Sequence, residues 1–240
     1  MYRTKKVSVV IPTYNEAGSI RAVIDGFFAT GFVDEIIVVD NNAKDPTKAE
    51  VAKTNARLVE EKERQGYGHA IMRGLTEATG DLIVMVEADG TFDPNDIHKF
   101  LLYSDHFPVV FGTRTSRAAI WSGAFMPFPV RFGNWAVAKV LEVLHNGPTL
   151  TDVGCTYKLI DRASLERIKN YFPRSPGDGK FSPELMIWLI RTQADKNVLE
   201  IPIMYKPRVG TSTYTGSIWK AAKLGCTMLP LIFAYRFRKL

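Results

Sequence analysis

The chain has 240 residues, 46% of them apolar, and 31 basic against 25 acidic side chains give a net charge of +6. That composition excludes intrinsic disorder, and the length suits one domain, or one domain with an appendage. The basic excess favours anionic partners such as phosphates and acidic headgroups; no nucleic-acid recognition motif accompanies it, so nucleic acid is not an expected partner.

In chain order, Val7–Ile11 reads as a first strand. It is too short an apolar run for a signal peptide, which points to a cytoplasmic domain. Residues 16–30 show helical spacing at Ile20, Val23, Ile24 and Phe27, with Gly31 as a stop. Strands follow at 35–39, 56–60, 82–86 and 109–111, separated by helices at 48–55, 68–79 and 95–103. Residues 131–144 form a further helix, 152–160 a strand, 161–171 a helix, 173–181 a loop, 183–192 a helix and 198–205 a strand. The two cysteines, Cys155 and Cys226, lack metal or redox spacing and read as separate thiols. Alternating strands and helices predict an α/β fold, a Rossmann-like, mostly parallel sheet with helices on both faces. Ligands bind such sheets at the carboxyl ends of the strands. There stand Pro12–Glu16, Asp40–Asn42, Glu87–Gly90 and Gly112–Arg114.

Glu87-Ala88-Asp89 is the sharpest motif. Acids at i and i+2 on extended chain share one side, and carboxylates ending a buried strand need a compensating cation. Mg²⁺ commonly takes one or two carboxylates plus substrate phosphates. Without an ion, the same residues read as a turn ending at Gly90. Asp40 either binds a base or ribose or caps a turn. Gly66-Tyr67-Gly68 opens a helix and permits close approach of an anion, yet it lacks the third glycine of a dinucleotide fingerprint. His69 reads as structural.

Val9–Glu16, Ile36–Asp40 and Glu87–Asp89, in this order and spacing, resemble the family-2 glycosyltransferases of GT-A fold. More narrowly, Gly66–Gly68, Gly112–Arg114, Met126-Pro127 with Arg131–Asn134, Asp152–Lys158 and Arg208–Ser212 resemble the polyprenyl-phosphate glycosyltransferases, the group of dolichyl-phosphate mannose and glucose synthases. The resemblance spans about residues 5–216, read as the catalytic domain, with 217–240 as a helical tail. It implies that Pro12, Tyr14, Glu16 and Asp40 hold the nucleoside and that Asp89 with Glu87 binds Mg²⁺ or Mn²⁺ at the donor diphosphate. Arg114 and Arg208 would bind phosphate, and Arg131 the acceptor phosphate. The expected partners are a nucleotide sugar, a polyprenyl phosphate and a membrane surface.

Three positions depart from the family pattern: Glu87 replaces an aspartate, Asn41 replaces a second aspartate, and Thr213 stands where a lysine is usual, with Lys206 nearby. A phosphate acceptor is already anionic and needs no base; inversion is the outcome the resemblance implies. A hydroxyl acceptor would need one, and Asp152 is then the candidate; otherwise Asp152 braces its loop. A module that binds nucleotide sugar without catalysis is the remaining alternative.

Leu224–Tyr235 carries no charge, with Lys220 and Lys223 before it and Arg236, Arg238 and Lys239 after it. As a helix it would be about 18 Å long, short of a hydrocarbon core near 30 Å. It suits either a peripheral helix on the cytoplasmic face of an anionic membrane or a helix packed on the domain's own core.

Overall fold

The structure is a computed structural model and describes residues 1–193, 197–210 and 217–239. Seven strands form one sheet: β1 (Val7–Thr13), β2 (Glu35–Asp40), β3 (Arg57–Glu60), β4 (Leu82–Met85), β5 (Val109–Thr113), β6 (Lys158–Asp161) and β7 (Val198–Pro202), in the order β3-β2-β1-β4-β6-β5-β7. The helices are α1 (Ile20–Ala29), α2 (Thr47–Val51), α3 (Tyr67–Glu77), α4 (Ile97–Tyr103), α5 (Phe128–His145), α6 (Arg162–Ile168), α7 (Phe181–Thr192) and α8 (Ile218–Phe237).

The strands are apolar on both faces because helices cover both. Val9, Ile11, Ile36, Val38 and Val84 face one core with α1 and α4. Their neighbours Val10, Ile37, Val39, Ile83 and Met85 face the other, with α3 and α5–α8. This is the period-two alternation of a strand.

Four of the six strand pairings are parallel; β6 alone runs against its neighbours β4 and β5. Because β6 is reversed, the residues before it, not after it, reach the carboxyl edge of the sheet. The strand expected over 152–160 is accordingly confined to Lys158–Asp161, and 152–157 is a loop at that edge. The first helix also starts later than its sequence pattern suggests, at Ile20. Residues 14–19 form turns there, and Asn15 has a left-handed φ of 57°, a conformation asparagine tolerates.

α8 is not a detached tail. Met228, Ile232 and Tyr235 are buried in the α5–α7 core, Tyr235 Oη donates to Glu184 Oε1 at 2.5 Å, and His145 Nε2 lies 3.0 Å from the Ile232 carbonyl. The opposite face is exposed at Trp219, Phe233 and Phe237. No helix among the described residues is long and apolar enough to cross a membrane.

Candidate active site

At the carboxyl edge the chain gathers acids around one guanidinium. β4 delivers Glu87 and Asp89, and the turn after β1 delivers Glu16. The segment after β7 pairs back onto the acidic turn: Lys206 N donates to Thr91 O at 2.8 Å and Val209 N to Asp89 O at 3.0 Å. That pairing carries Arg208 into the site. Its Nη2 lies 2.5 Å from Asp89 Oδ2 and 3.2 Å from Glu87 Oε2, and its Nη1 3.6 Å from Glu16 Oε1. Gly90, at φ 77°, makes the sharp turn after Asp89.

Each acid has one oxygen tied to the protein. Asp89 Oδ1 accepts from Thr91 N and Oγ1, at 2.9 and 2.6 Å. Glu87 Oε1 accepts from Thr156 Oγ1 at 2.7 Å, and Thr156 in turn touches Tyr67 Oη. The other oxygens, Asp89 Oδ2 and Glu87 Oε2, face Arg208. Asp89 Oδ2 is buried with no properly angled hydrogen bond from the described residues. Burial, and then the Asp89 charge, push both Glu16 and Glu87 up to about 7. Three carboxylates thus share one guanidinium, and the excess favours a further cation.

The donor set fits a hard divalent ion. Among the described residues no group of three His, Cys, Asp or Glu side chains forms a cage. One or two aimed carboxylate oxygens with diphosphate completing the shell is nonetheless the usual arrangement for Mg²⁺. Glu87 meets this demand despite its extra methylene, since Thr156 fixes one oxygen and frees the other.

A cavity of about 750 Å³ holds these residues. Pro12, Tyr14, Glu16, Glu87, Asp89, Arg114 and Arg208 line its polar end, together with Asn41, Gly66 and Thr156. Asp40 is not in the lining; its Oδ1 accepts from Ala43 N at 3.2 Å and its Oδ2 lies 3.4 Å from Lys48 Nζ. Asp40 therefore closes the turn after β2. Arg131 is also outside the lining, although its neighbours Val130 and Gly133 are within it; its Nε is buried and unpartnered among the described residues.

Asn41 has a clear physical reason. Its Nδ2 donates to Glu61 O and Arg64 O, at 3.0 and 2.9 Å, and its Oδ1 accepts from Gly66 N at 2.7 Å. An aspartate offers no such donors, so the amide is what folds 61–66 against the start of α3. Of the other departures, Lys206 pairs with Asp93 at 2.9 Å, and Thr213 lies outside the described residues.

The structure corrects the reading of Asp152 as a base. It is fully buried, and its oxygens accept from Arg114 Nε at 2.8 Å, Arg114 Nη2 at 2.9 Å and Gly154 N at 2.9 Å. Burial alone would raise its pKa, but the guanidinium and these bonds hold the carboxyl below its usual range. A carboxylate so engaged braces its loop and Arg114 and is a poor proton acceptor. The same pair accounts for Arg114, whose fork is spent on Asp152 while its edge reaches the cavity and its plane lies 5.4 Å from the Tyr205 ring.

The cavity's other end is apolar. α5 contributes Val130, Ala136 and Val137, and α8 contributes Ala221, Leu224, Met228 and Leu229. The sequence pattern showed the α5 residues as an ordinary helix and the α8 run as a helix for a membrane surface or for the core, not as a cavity wall. The positions of Thr91 and Thr156, two and four residues from a motif acid or from Asp152, were the only local signal for the pinning hydroxyls.

Residues 8–169, more than half of the chain, match the family model described as glycosyl transferase family 2. A dolichyl-phosphate hexose transferase of Haloferax volcanii is 31% identical over 87% of this chain and 86% of its own length. An uncharacterized glycosyltransferase of Mycobacterium bovis is 29% identical over 88% and 91%. Among solved structures, glucosyl-3-phosphoglycerate synthase from Mycobacterium tuberculosis, in complex with Mn²⁺, UDP-glucose and phosphoglyceric acid, superposes with a TM-score of 0.71. It covers 97% of this chain and 80% of that one at 19% identity, a likeness of fold. With its GT-A architecture and its acidic turn at the end of β4, the chain is an enzyme of glycosyl transferase family 2.

Proposed function

We propose that the protein transfers a hexose from a nucleoside diphosphate donor to a polyprenyl phosphate, with inversion, at the cytoplasmic face of a membrane. The observation that carries this reading is the single cavity with two chemistries. Its polar end holds the carboxylates and Arg208, and its apolar end runs between α5 and α8. A soluble phosphorylated acceptor has no use for the apolar end; an isoprenoid chain does. The dolichyl-phosphate hexose transferase named above supports the acceptor class, and the Mn²⁺ and UDP-glucose of the solved neighbour support the metal and the donor.

In this reading Pro12, Tyr14 and Glu16 border the nucleoside, and the free oxygens of Asp89 and Glu87 hold Mg²⁺ or Mn²⁺. The ion, when bound, supplies positive charge against the departing diphosphate. Arg208 leaves the carboxylates for a donor phosphate, which suits its bidentate fork. The acceptor phosphate attacks the anomeric carbon directly; being anionic, it needs positioning but no base. Arg131, whose Nε no protein group claims, is the proposed acceptor contact.

The test is a transfer screen by mass spectrometry. UDP- and GDP-hexoses are combined with a short polyprenyl phosphate, the matching polyprenol and phosphoglycerate, with Mg²⁺, Mn²⁺ or chelator. The reading expects metal-dependent product on the lipid phosphate. Product only on polyprenol or phosphoglycerate would overturn it.

A further inference from the structure

Asn41 and Glu87, two of the chain's departures from the family pattern, stand at opposite ends of one connected path. Asn41, just after β2, accepts from Gly66 N through Oδ1 at 2.7 Å and donates through Nδ2 to the Glu61 and Arg64 carbonyls. The next residue, Tyr67, opens α3, and its Oη lies 2.5 Å from Thr156 Oγ1. Thr156 Oγ1 lies 2.7 Å from Glu87 Oε1. That leaves Glu87 Oε2 toward Arg208, 3.2 Å away.

Proton count fixes the direction of the path. A threonine hydroxyl has one proton, and an ionised carboxylate can only accept. Thr156 therefore donates to Glu87, and Tyr67 donates to Thr156. Thr156 is 4% exposed, so water is a poor substitute for either partner.

The start of α3 is also held from a second side. Gly68 N donates to Gly177 O at 2.8 Å. A Cβ on Gly66 would fall 2.5 Å from the Gly177 carbonyl oxygen, and one on Gly68 2.5 Å from the Phe181 ring. Tyr67 is thus carried by a closely packed turn with little room to shift.

Glu87 needs such a support because of its length. Glutamate places its carboxyl about 1.5 Å farther from the backbone than aspartate, and it has one more torsion to order. Asp89 is held within its own turn, by Thr91 two residues on. Glu87 reaches beyond its turn to Thr156, on the loop before β6. Without that hold its second oxygen would be spread over several rotamers and aimed poorly at an ion.

We infer that Tyr67 and Thr156 are positioning residues, a two-hydroxyl clamp that lets glutamate stand where the family has aspartate and still present one oxygen to the divalent ion. Asn41 fixes the base of the clamp, so the two departures are matched to each other. The clamp rests on the reading that Glu87 and Asp89 hold the metal. It has a consequence that the family pattern alone would not suggest: aspartate restored at position 87 harms the site, because its shorter side chain cannot reach Thr156 and the ion together.

Calorimetry of the full chain with Mn²⁺ alone tests this without turnover. Thr156→Val keeps the shape and loses the hydroxyl; its Mn²⁺ Kd should rise about tenfold, as outer partners of metal-binding carboxylates commonly require. Thr156→Ser restores the hydroxyl and should bind like wild type, which separates the clamp from a role of Thr156 in folding. Tyr67→Phe should lie between, since Thr156 keeps its proton on Glu87. Glu87→Asp should weaken Mn²⁺ binding as well. Adding Thr156→Val to it should cost little more, because the clamp then has nothing to hold. Melting temperatures are recorded for every variant. Unchanged Mn²⁺ affinity in Thr156→Val would overturn the clamp, as would equal losses in Thr156→Val and Thr156→Ser. So would Glu87→Asp binding as tightly as wild type. Asp89→Ala distinguishes failure of the metal reading. If that variant binds Mn²⁺ like wild type, the ion is held elsewhere and both fall. If it loses the ion while Thr156→Val keeps it, the metal reading stands and the clamp alone falls.

Discussion

Arg208 Nη2 lies 2.5 Å from Asp89 Oδ2, the one oxygen of that buried carboxylate which Thr91 does not hold. The guanidinium thus sits where a metal-bound diphosphate would need both groups, the acid for the ion and the arginine for the phosphate. On the proposed reading, donor binding separates the pair.

Asp89→Ala should abolish transfer, with a loss in kcat of at least about 10²-fold, because the leaving diphosphate loses its charge stabilisation. Glu87→Ala should cost less, since Asp89 keeps its aimed oxygen. Steady-state rates across a Mn²⁺ titration check both. Near wild-type rates for Asp89→Ala in the presence of chelator would remove the metal assignment.

Arg208→Ala should raise the donor KM and lower kcat together, because the arginine is proposed to hold a phosphate whose charge grows in the transition state. Calorimetry with Mn²⁺ alone should show metal binding undiminished or tighter, as the competing cation is gone. Weaker Mn²⁺ binding by the variant would count against the competition.

Asp152→Ala separates bracing from base catalysis. Arg114 is buried, and stripping its partner should destabilise the fold by about 3–5 kcal/mol, read as a large fall in melting temperature. A base would instead be missed in the pH–rate profile, as the loss of its limb in a protein that still folds normally.

Glu200 predicts a pH effect on stability. It is half-buried against Thr151, and desolvation lifts its pKa to about 7. Its folded pKa is above the unfolded value, so the protonated form favours folding; that contribution is complete below about 4.5 and fades as pH rises through 7. Glu200→Gln cannot ionise. The melting temperature of the variant relative to wild type should therefore climb between pH 5 and pH 8. A constant difference would show that Glu200 does not titrate in that range.

Much of the fold was legible because buried strands and amphipathic helices write their periods into the sequence. Val7–Thr13, Glu35–Asp40 and α4 fall where their patterns put them. The loop over 152–157 reads as strand because Val153, Cys155 and Tyr157 alternate like one; Val153 is buried in the core with α5 and α7, and Cys155 and Tyr157 in the core with α1 and α4, placements that no local pattern reports. In the site, Glu87 and Asp89 stood out because carboxylates are costly at the end of a buried strand, whereas Arg208 and Glu16 stood out through the family resemblance. Asp40 and Asp152 stood out equally, and only tertiary contacts with Lys48 and Arg114 show them as braces. The apolar wall from α8 was hidden because a helix that lines a cavity has the composition of one that lies on a membrane.

The central claim is that the apolar end of the cavity takes the acceptor's isoprenoid chain. Gly225 of α8 lies in that lining, and a Cβ there would meet nothing closer than Val137 Cγ2 at 3.8 Å. A Cβ at position 225 is thus accommodated, and the leucine of Gly225→Leu should fill the groove, with the melting temperature checked to confirm that the α5–α8 packing survives. The decisive measurement is kcat/KM for polyprenyl phosphates of increasing chain length, in wild type and Gly225→Leu. Each buried methylene is worth about 0.8 kcal/mol, so wild-type kcat/KM should rise steeply over the first few isoprene units, and the variant should flatten that rise while hydrolysing donor normally. Wild-type kcat/KM independent of chain length, or matched by a soluble phosphate, would contradict the account.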